Sequence, residues 1–233
     1  MIWASFTAAL GQMGDARFLK VTALGVALTL ALLTGVYAAA LWLLEWLAPD
    51  TVTIPFVGQI GGIDTLIGIG SVLLMIGLSI FLMVPVASAF SGLFLDTVAQ
   101  AVEDRHYPTL PPAAPLPLAD TIIGSLNFFG LVVFINIVAL IAYIFAGPLA
   151  PILFWVLNGY LLGREYFSLA AERRLPKPQA RALRKANGGT VWLAGILMAA
   201  PLSIPIVNLF IPVLGAATFT HLFHRIFRAM DHR

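Results

Sequence analysis

Two adjacent ionisable residues, Arg164 and Glu165, stand where a long apolar run of the sequence ends. Ionisable side chains at the depth of a membrane are costly, and they usually face the interior of a helix bundle or an aqueous path. The pair is therefore predicted to line a pore. The alternative is a helix end at the membrane interface, where both side chains snorkel into water.

A basic stretch follows this pair. Seven of the 13 Lys and Arg residues lie between Arg164 and Lys185. Short loops rich in Lys and Arg stay on the cytoplasmic side of a membrane, where they attract anionic headgroups. The stretch therefore predicts the cytoplasmic face of the protein and contact with membrane lipid.

A second cation, Arg17, follows a predicted helix start. Gly14 interrupts the first helical pattern, and Asp15 is a suitable N-cap for the next helix. Arg17 then lies in the first turn, where the helix macrodipole disfavours a cation unless an anion joins the free backbone N–H groups. The residues thus suggest an anion site, with a positive-inside anchor or a lipid-phosphate contact as the alternative.

His221 and His224 are three residues apart, which places them on one helix face as metal ligands can be. The chain has no Cys, and no third ligand stands nearby in the sequence. We therefore interpret them as histidines at the membrane interface that contact headgroups. The sequence contains none of the GxSxG, HExxH or P-loop patterns, so neither an enzyme nor a cofactor is predicted.

The composition indicates a membrane protein. Of the 233 residues, 60% are hydrophobic and 10% charged, and the mean hydropathy is +0.96. Soluble domains are about 25% charged, and a soluble fold of this size could not hide so much apolar surface from water. The net charge of +2 is too small to indicate nucleic acid as a partner.

The order of apolar runs predicts an all-α integral membrane protein that forms one membrane domain over residues 1–233. We expect two long transmembrane helices followed by two partly penetrating (re-entrant) helical hairpins, because the later runs are short or contain several prolines. Six conventional spans are the alternative. The predicted segments are an N-terminal amphipathic helix at 1–12, long helices at 17–47 and 63–106, a Pro-rich connector at 107–120, hairpins at 121–170 and 190–230, and a basic segment at 171–189.

Four blocks of the sequence resemble the CysZ family of bacterial sulfate permeases, and the resemblance runs from about Ser5 to Arg225. The most specific blocks contain GREYF and the final Asn-Leu-Phe-hydrophobic-Pro pattern. The four blocks are GDARF, SAFSGLFLDTVAQAVE, NGYLLGREYFSLAAERRL and NLFIPVLGAATF.

The resemblance implies a multi-pass homo-oligomer of the bacterial inner membrane. Such a protein would pass sulfate inward for cysteine biosynthesis without a nucleotide-hydrolysing domain. The family's anion site lies at the start of the first long helix, on a motif with two successive arginines. Here Ala16 stands in place of the first arginine, and Asp15 adds repulsion. The residues at that motif are Gly14, Asp15, Ala16, Arg17 and Phe18.

Two functions follow as hypotheses. The first is a sulfate or related oxyanion permease or channel, with Arg17 as an anion ligand and with Arg164 and Glu165 near the conduction path. The alternative is a non-transporting membrane scaffold that binds lipid headgroups or a partner protein through a basic surface from Arg173 to Lys185.

Overall fold

The computed structural model describes residues 1–47, 95–113 and 118–231, and every regular element in these ranges is a helix. These residues divide into two compact units, of which the first contains residues 1–23, 95–113 and 118–231 and the second is represented by residues 24–47. The α-helices are α1 (Ile2–Gly11), α2 (Ala16–Leu47), α3 (Asp96–His106), α4 (Leu118–Ala146), α5 (Ala150–Glu172), α6 (Lys177–Ala186), α7 (Gly188–Ala199), α8 (Pro205–Asn208) and α9 (Ile211–Asp231).

Several predicted boundaries differ from those observed. The long helix predicted at 17–47 begins one residue earlier, at Ala16. The predicted connector ends sooner than expected, since α4 already begins at Leu118. The basic segment contains a helix of its own, α6. The predicted loop after Leu47 and most of the predicted helix at 63–106 lie outside the described residues.

One helical stretch among the described residues, Gly130–Glu172, is long and apolar enough to cross a membrane. Its most apolar window has a mean hydropathy of 2.4 and is almost entirely exposed. A short 3-10 turn at Gly147–Leu149 separates α4 from α5 within it, and Gly147 has a φ of +49°, which favours glycine. The apolar run that was expected to end at Leu162 continues as α5 through Arg164 and Glu165 to Glu172.

The core of the first unit forms around α9. Apolar side chains of this helix pack against α1, α3, α5 and α7, and Phe219, Leu222 and Phe223 are almost completely buried. Phe18 at the start of α2 and Phe167 on α5 complete the same core. Because α9 contacts so many elements, its position determines where the polar residues of its C-terminal half can reach.

The N-terminal helix α1 packs through its small residues. Ser5 and Ala9 are buried against the core, whereas Trp3 is 67% exposed and Leu10 is also exposed. The N-terminal residues thus form a helix, with Trp3 and Leu10 exposed and with Ile2 and Phe6 packed partly against the core.

Helices α5 and α7 cross at glycines, which the sequence analysis did not single out. Gly159 and Gly163 form a small-xxx-small pattern on α5 and meet Gly195 of α7. A Cβ on Gly159 would lie 2.7 Å from the backbone nitrogen of Ile196, and one on Gly195 would overlap the carbonyl oxygen of Gly159. The two backbones are thus too close for any other residue at these positions.

We predict that Gly195→Ala destabilises the folded protein by at least about 2 kcal/mol, since backbone atoms rather than flexible side chains must move. Gly189→Ala on the same helix is the matched control, because a Cβ there meets nothing within 4 Å. It should leave stability unchanged or raise it slightly. Thermal unfolding of the purified variants tests this, and equal melting temperatures for both would contradict the close crossing.

Candidate functional site

A carboxylate on α3, that of Glu103, lies at the centre of the polar interior. Its side chain is 2% exposed. Arg174 donates to both carboxylate oxygens, from Nε at 2.9 Å and from Nη2 at 2.6 Å. Arg173 donates from Nη2 at 3.1 Å, and His224 Nε2 lies 3.0 Å from Oε1. The cluster joins α3, the end of α5 and α9.

The charge state of Glu103 follows from these partners. Burial raises the pKa of Glu103, but the hydrogen bonds from His224 and Arg174 and their positive charges outweigh burial, so the pKa lies below its ordinary value. Glu103 is therefore ionised near neutral pH. The cluster contains at least two cations for one central anion.

The two arginines of the cluster also hold neighbouring segments. Arg173 forms an ion pair with Asp96 and donates to the side-chain oxygen of Gln100 at 2.9 Å, both on α3. Arg174 donates to the carbonyl oxygen of Pro111 at 2.5 Å. The start of the Pro-rich connector is thereby attached to the end of α5.

The start of α2 has the predicted cap. The Arg17 backbone N–H donates to the Asp15 carboxylate at 2.9 Å, so the prediction of Asp15 as N-cap is confirmed. This hydrogen bond lowers the pKa of Asp15. Gln12, which is buried, donates to the other Asp15 oxygen and to the Ala101 carbonyl oxygen of α3. The turn before α2 is thus fixed to α3.

The Arg17 guanidinium pairs with Asp104 of α3 at 2.5 Å, and both side chains are about half exposed. Of the other residues predicted for the anion site, Gly14 and Ala16 are exposed, Asp15 is half-buried, and Phe18 is fully buried in the core. The five residues are consecutive at the start of α2, and only Gly14, Ala16 and Arg17 are exposed. The Arg17 amide and guanidinium both face carboxylates.

Arg164 and Glu165, predicted to line a pore, are half-buried on α5. Glu165 lies within electrostatic range of Arg184 and Glu172 as well as Arg164. Within the described ranges, neither residue takes part in the ion pairs around Glu103 or in the pair formed by Arg17. These ion pairs therefore do not join Arg164 and Glu165 to the turn that contains Arg17.

The expectation that His221 and His224 lie exposed at the membrane interface is wrong. They are 2% and 4% exposed, because their face of α9 packs against α3. His221 Nδ1 lies 3.1 Å from the Tyr107 hydroxyl, and His224 binds Glu103. In the part of the chain that the structure describes, no group of three His, Asp or Glu residues is placed to hold a metal.

The basic surface proposed for a scaffold is also smaller than predicted. Arg173 and Arg174 belong to the buried cluster, with side chains 5% and 13% exposed. Arg181 and Lys185 on α6 remain exposed. The prediction treated the whole run from Arg173 to Lys185 as surface, because the sequence does not show that a buried acid lies opposite its first two residues.

Glu103 was not among the residues predicted for a site. In the sequence it stands with Asp96 and Asp104 on a stretch whose acidic residues are expected to form a polar helix face. Successive residues of a helix are rotated by about 100°, so neighbours can face different surroundings. Glu103 faces the core and Asp104 faces Arg17. The one available signal was Val98 and Val102, which stand five and one residues before Glu103 on the buried side.

The chain belongs to the family described as sulfate transporter CysZ/Etoposide-induced protein 2.4, whose model matches residues 5–212. This is a family of transporters rather than enzymes, and membership agrees with the long apolar stretch Gly130–Glu172. Comparison with curated proteins and with solved structures gave no significant match.

We predict that Glu103→Ala destabilises the protein by about 3–5 kcal/mol, because it leaves two arginines and a histidine buried without their counter-ion. Asp104→Ala, one residue later on the same helix, removes only an exposed pair and should cost at most about 1 kcal/mol. Chemical denaturation in detergent measures both. Similar losses for the two variants would show that Glu103 does not hold the interior together.

Acid should weaken the fold through His221. Burial, together with the neighbouring charges of His106, Arg225 and His224, lowers the pKa of His221 to about 3. The unfolded chain takes up this proton near pH 6.5, whereas the folded chain does not, so falling pH favours unfolding. We expect stability to fall below pH 6.5 by up to about 1.4 kcal/mol per pH unit from this group.

His221→Gln should flatten that slope between pH 6.5 and pH 5, above the range in which Glu103 is protonated. Thermal unfolding at each pH measures it. His106→Gln is the comparison. Partial burial and Arg105 also lower the pKa of His106, but His106 is an exposed residue whereas His221 is a buried one. An unchanged slope in His221→Gln would show that another group causes the acid sensitivity.

Proposed function

We propose that the protein is an oxyanion permease that imports sulfate across the bacterial inner membrane and so supplies sulfur for cysteine biosynthesis. The observation that carries this proposal is membership of the sulfate transporter family over residues 5–212. The apolar composition of the chain and the long apolar stretch Gly130–Glu172 support the membrane location, and the multi-pass arrangement is part of the proposal.

In this proposal the chain forms two long transmembrane helices and two re-entrant hairpins and assembles as a homo-oligomer. The 32 residues of α2 would measure about 48 Å, more than the hydrocarbon core of about 30 Å. Phe134, Leu140, Ile144 and Phe145 on α4 are all well exposed. They offer apolar surface that lipid or a second copy of the chain would cover.

The proposed entrance for the anion is the turn formed by Gly14, Asp15, Ala16, Arg17 and Phe18. Its support is the exposed guanidinium of Arg17 in the first turn of α2, where backbone N–H groups and the macrodipole favour an anion. Asp104 would act as a competing anion for Arg17, and sulfate would have to displace it. Arg164 and Glu165 are proposed to lie further along the conduction path.

We expect Arg17→Ala to reduce uptake of labelled sulfate into proteoliposomes by roughly tenfold or more, since charge-assisted hydrogen bonds contribute about 1.5–3 kcal/mol. Arg181→Ala, which removes an exposed arginine on α6, is the matched control and should transport normally. Uptake no faster than in empty liposomes would overturn the transport proposal itself.

Asp104→Asn is expected to strengthen sulfate binding, whereas Arg17→Ala is expected to weaken it. Without this carboxylate the Arg17 guanidinium loses its intramolecular partner, so sulfate should half-saturate transport at a lower concentration. If Asp104→Asn and Arg17→Ala both leave uptake unchanged while the wild-type protein transports, the entrance lies elsewhere and the proposed site is wrong.

A further inference from the structure

A pocket of about 280 Å³ lies between α1, α3 and α9, and its lining shares no residue with the proposed entrance. It contains two arginines, two histidines and a tyrosine, and none of the described residues that line it is a carboxylate. The lining residues are Ala8, His106, Tyr107, His221, Arg225 and Arg228.

The inner wall of the pocket carries a buried polar atom that has no partner. His221 is 2% exposed, its Nδ1 lies 3.1 Å from the Tyr107 hydroxyl, and its Nε2 makes no hydrogen bond to any described residue. Buried polar atoms in native proteins nearly always have a partner, so an unpaired one needs an explanation. A ligand in the pocket would supply the missing partner.

The protonation states define which partner that is. Burial raises the pKa of Tyr107, so its hydroxyl keeps its proton and can donate to His221 Nδ1. A neutral imidazole has one donor and one acceptor nitrogen, and Nδ1 would then be the acceptor. In the tautomer in which Nδ1 accepts this hydrogen bond, Nε2 carries the hydrogen and requires an acceptor, as an oxyanion provides.

The rim of the pocket adds positive charge. Arg225 and Arg228 are three residues apart on α9, and both are exposed. The Arg228 guanidinium lies over the Tyr107 ring at 4.9 Å from its centre, and Arg225 reaches the Ala4 carbonyl oxygen of α1 at 3.5 Å. His106 stands edge-on to His221, with 4.7 Å between the ring centres. Glu103 lies four residues before Tyr107 in the chain. Its carboxylate is already bound by Arg173, Arg174 and His224.

We propose that this pocket binds one tetrahedral oxyanion, a sulfate or phosphate group that is either free in solution or part of a lipid headgroup. Arg225 and Arg228 hold its charge at the rim, and His221 Nε2 donates to it from the inner wall. The volume exceeds what one small anion fills, since a water molecule occupies about 30 Å³, so an esterified phosphate also fits. The proposal uses different residues from the entrance at Arg17 and does not depend on it.

The test uses the full-length protein carrying Arg17→Ala, which removes the proposed entrance from the measurement. Isothermal titration with inorganic sulfate and inorganic phosphate in detergent, at constant ionic strength, is compared between this protein and versions that add Arg228→Gln or His221→Phe. We expect each addition to weaken binding by roughly tenfold. Arg181→Gln is the control and should bind as tightly as its parent.

A second arm identifies the source of the anion. The same proteins are placed in nanodiscs of phosphatidylcholine alone or with phosphatidic acid, and retained lipid is measured by native mass spectrometry. Binding of inorganic anions that depends on Arg228 and His221 supports a free oxyanion. Retention of phosphatidic acid that depends on the same residues, without inorganic binding, supports a headgroup.

Two results would overturn the proposal. One is no binding in either arm by a protein whose melting temperature shows that it is folded. The other is binding that Arg228→Gln and His221→Phe both leave unchanged. His221→Gln is included because its amide can still donate, so it should bind more tightly than His221→Phe if the donor matters. Sulfate uptake by protein with an intact Arg17 is a separate measurement, so failure here would not be confused with failure of transport.

Discussion

The buried carboxylate of Glu103 determines how the interior of the first unit is arranged. Burying an ion costs desolvation energy that is recovered only when partners bind it at close range. Glu103 has hydrogen bonds to Arg173, Arg174 and His224 between 2.6 and 3.1 Å. These partners come from two other parts of the chain, so α3, the end of α5 and α9 can be joined in only one register.

Such a constraint is valuable in a chain as apolar as this one. Where lipid surrounds the helices, apolar contact alone does not distinguish one helix pairing from another, and close backbone packing and polar contacts provide the specificity. Close backbone packing occurs where α5 and α7 cross at Gly159, Gly163 and Gly195. The polar contacts are those of the Glu103 cluster. Both use α5, which carries the GREYF block. The conspicuous block of the sequence is therefore part of the scaffold as well as a proposed part of the path.

Helix α3 also connects the interior to two surfaces where an anion is proposed to bind. Asp104 reaches Arg17 at the start of α2, and Tyr107 reaches His221 in the pocket beside α9. Glu103 immediately precedes Asp104 in sequence and faces the core. Helix α3 and the residue after it thus hold Asp104 at the proposed entrance, Glu103 as an internal counter-ion, and the Tyr107 hydroxyl beside a buried histidine.

The sequence by itself determined the helical class, the membrane-type composition, the family and the start of α2. Helix periodicity, the Asp15 cap and the length of apolar runs are local properties, so they can be read from neighbouring residues. Only the tertiary structure decided that Glu103 is buried, that Arg173 and Arg174 are not surface residues, and that His221 and His224 face α3. A helical pattern shows which residues share a face but not which distant helix covers it. The partners of the Glu103 carboxylate stand about 70 and 121 positions away along the chain, so only folding brings them next to it.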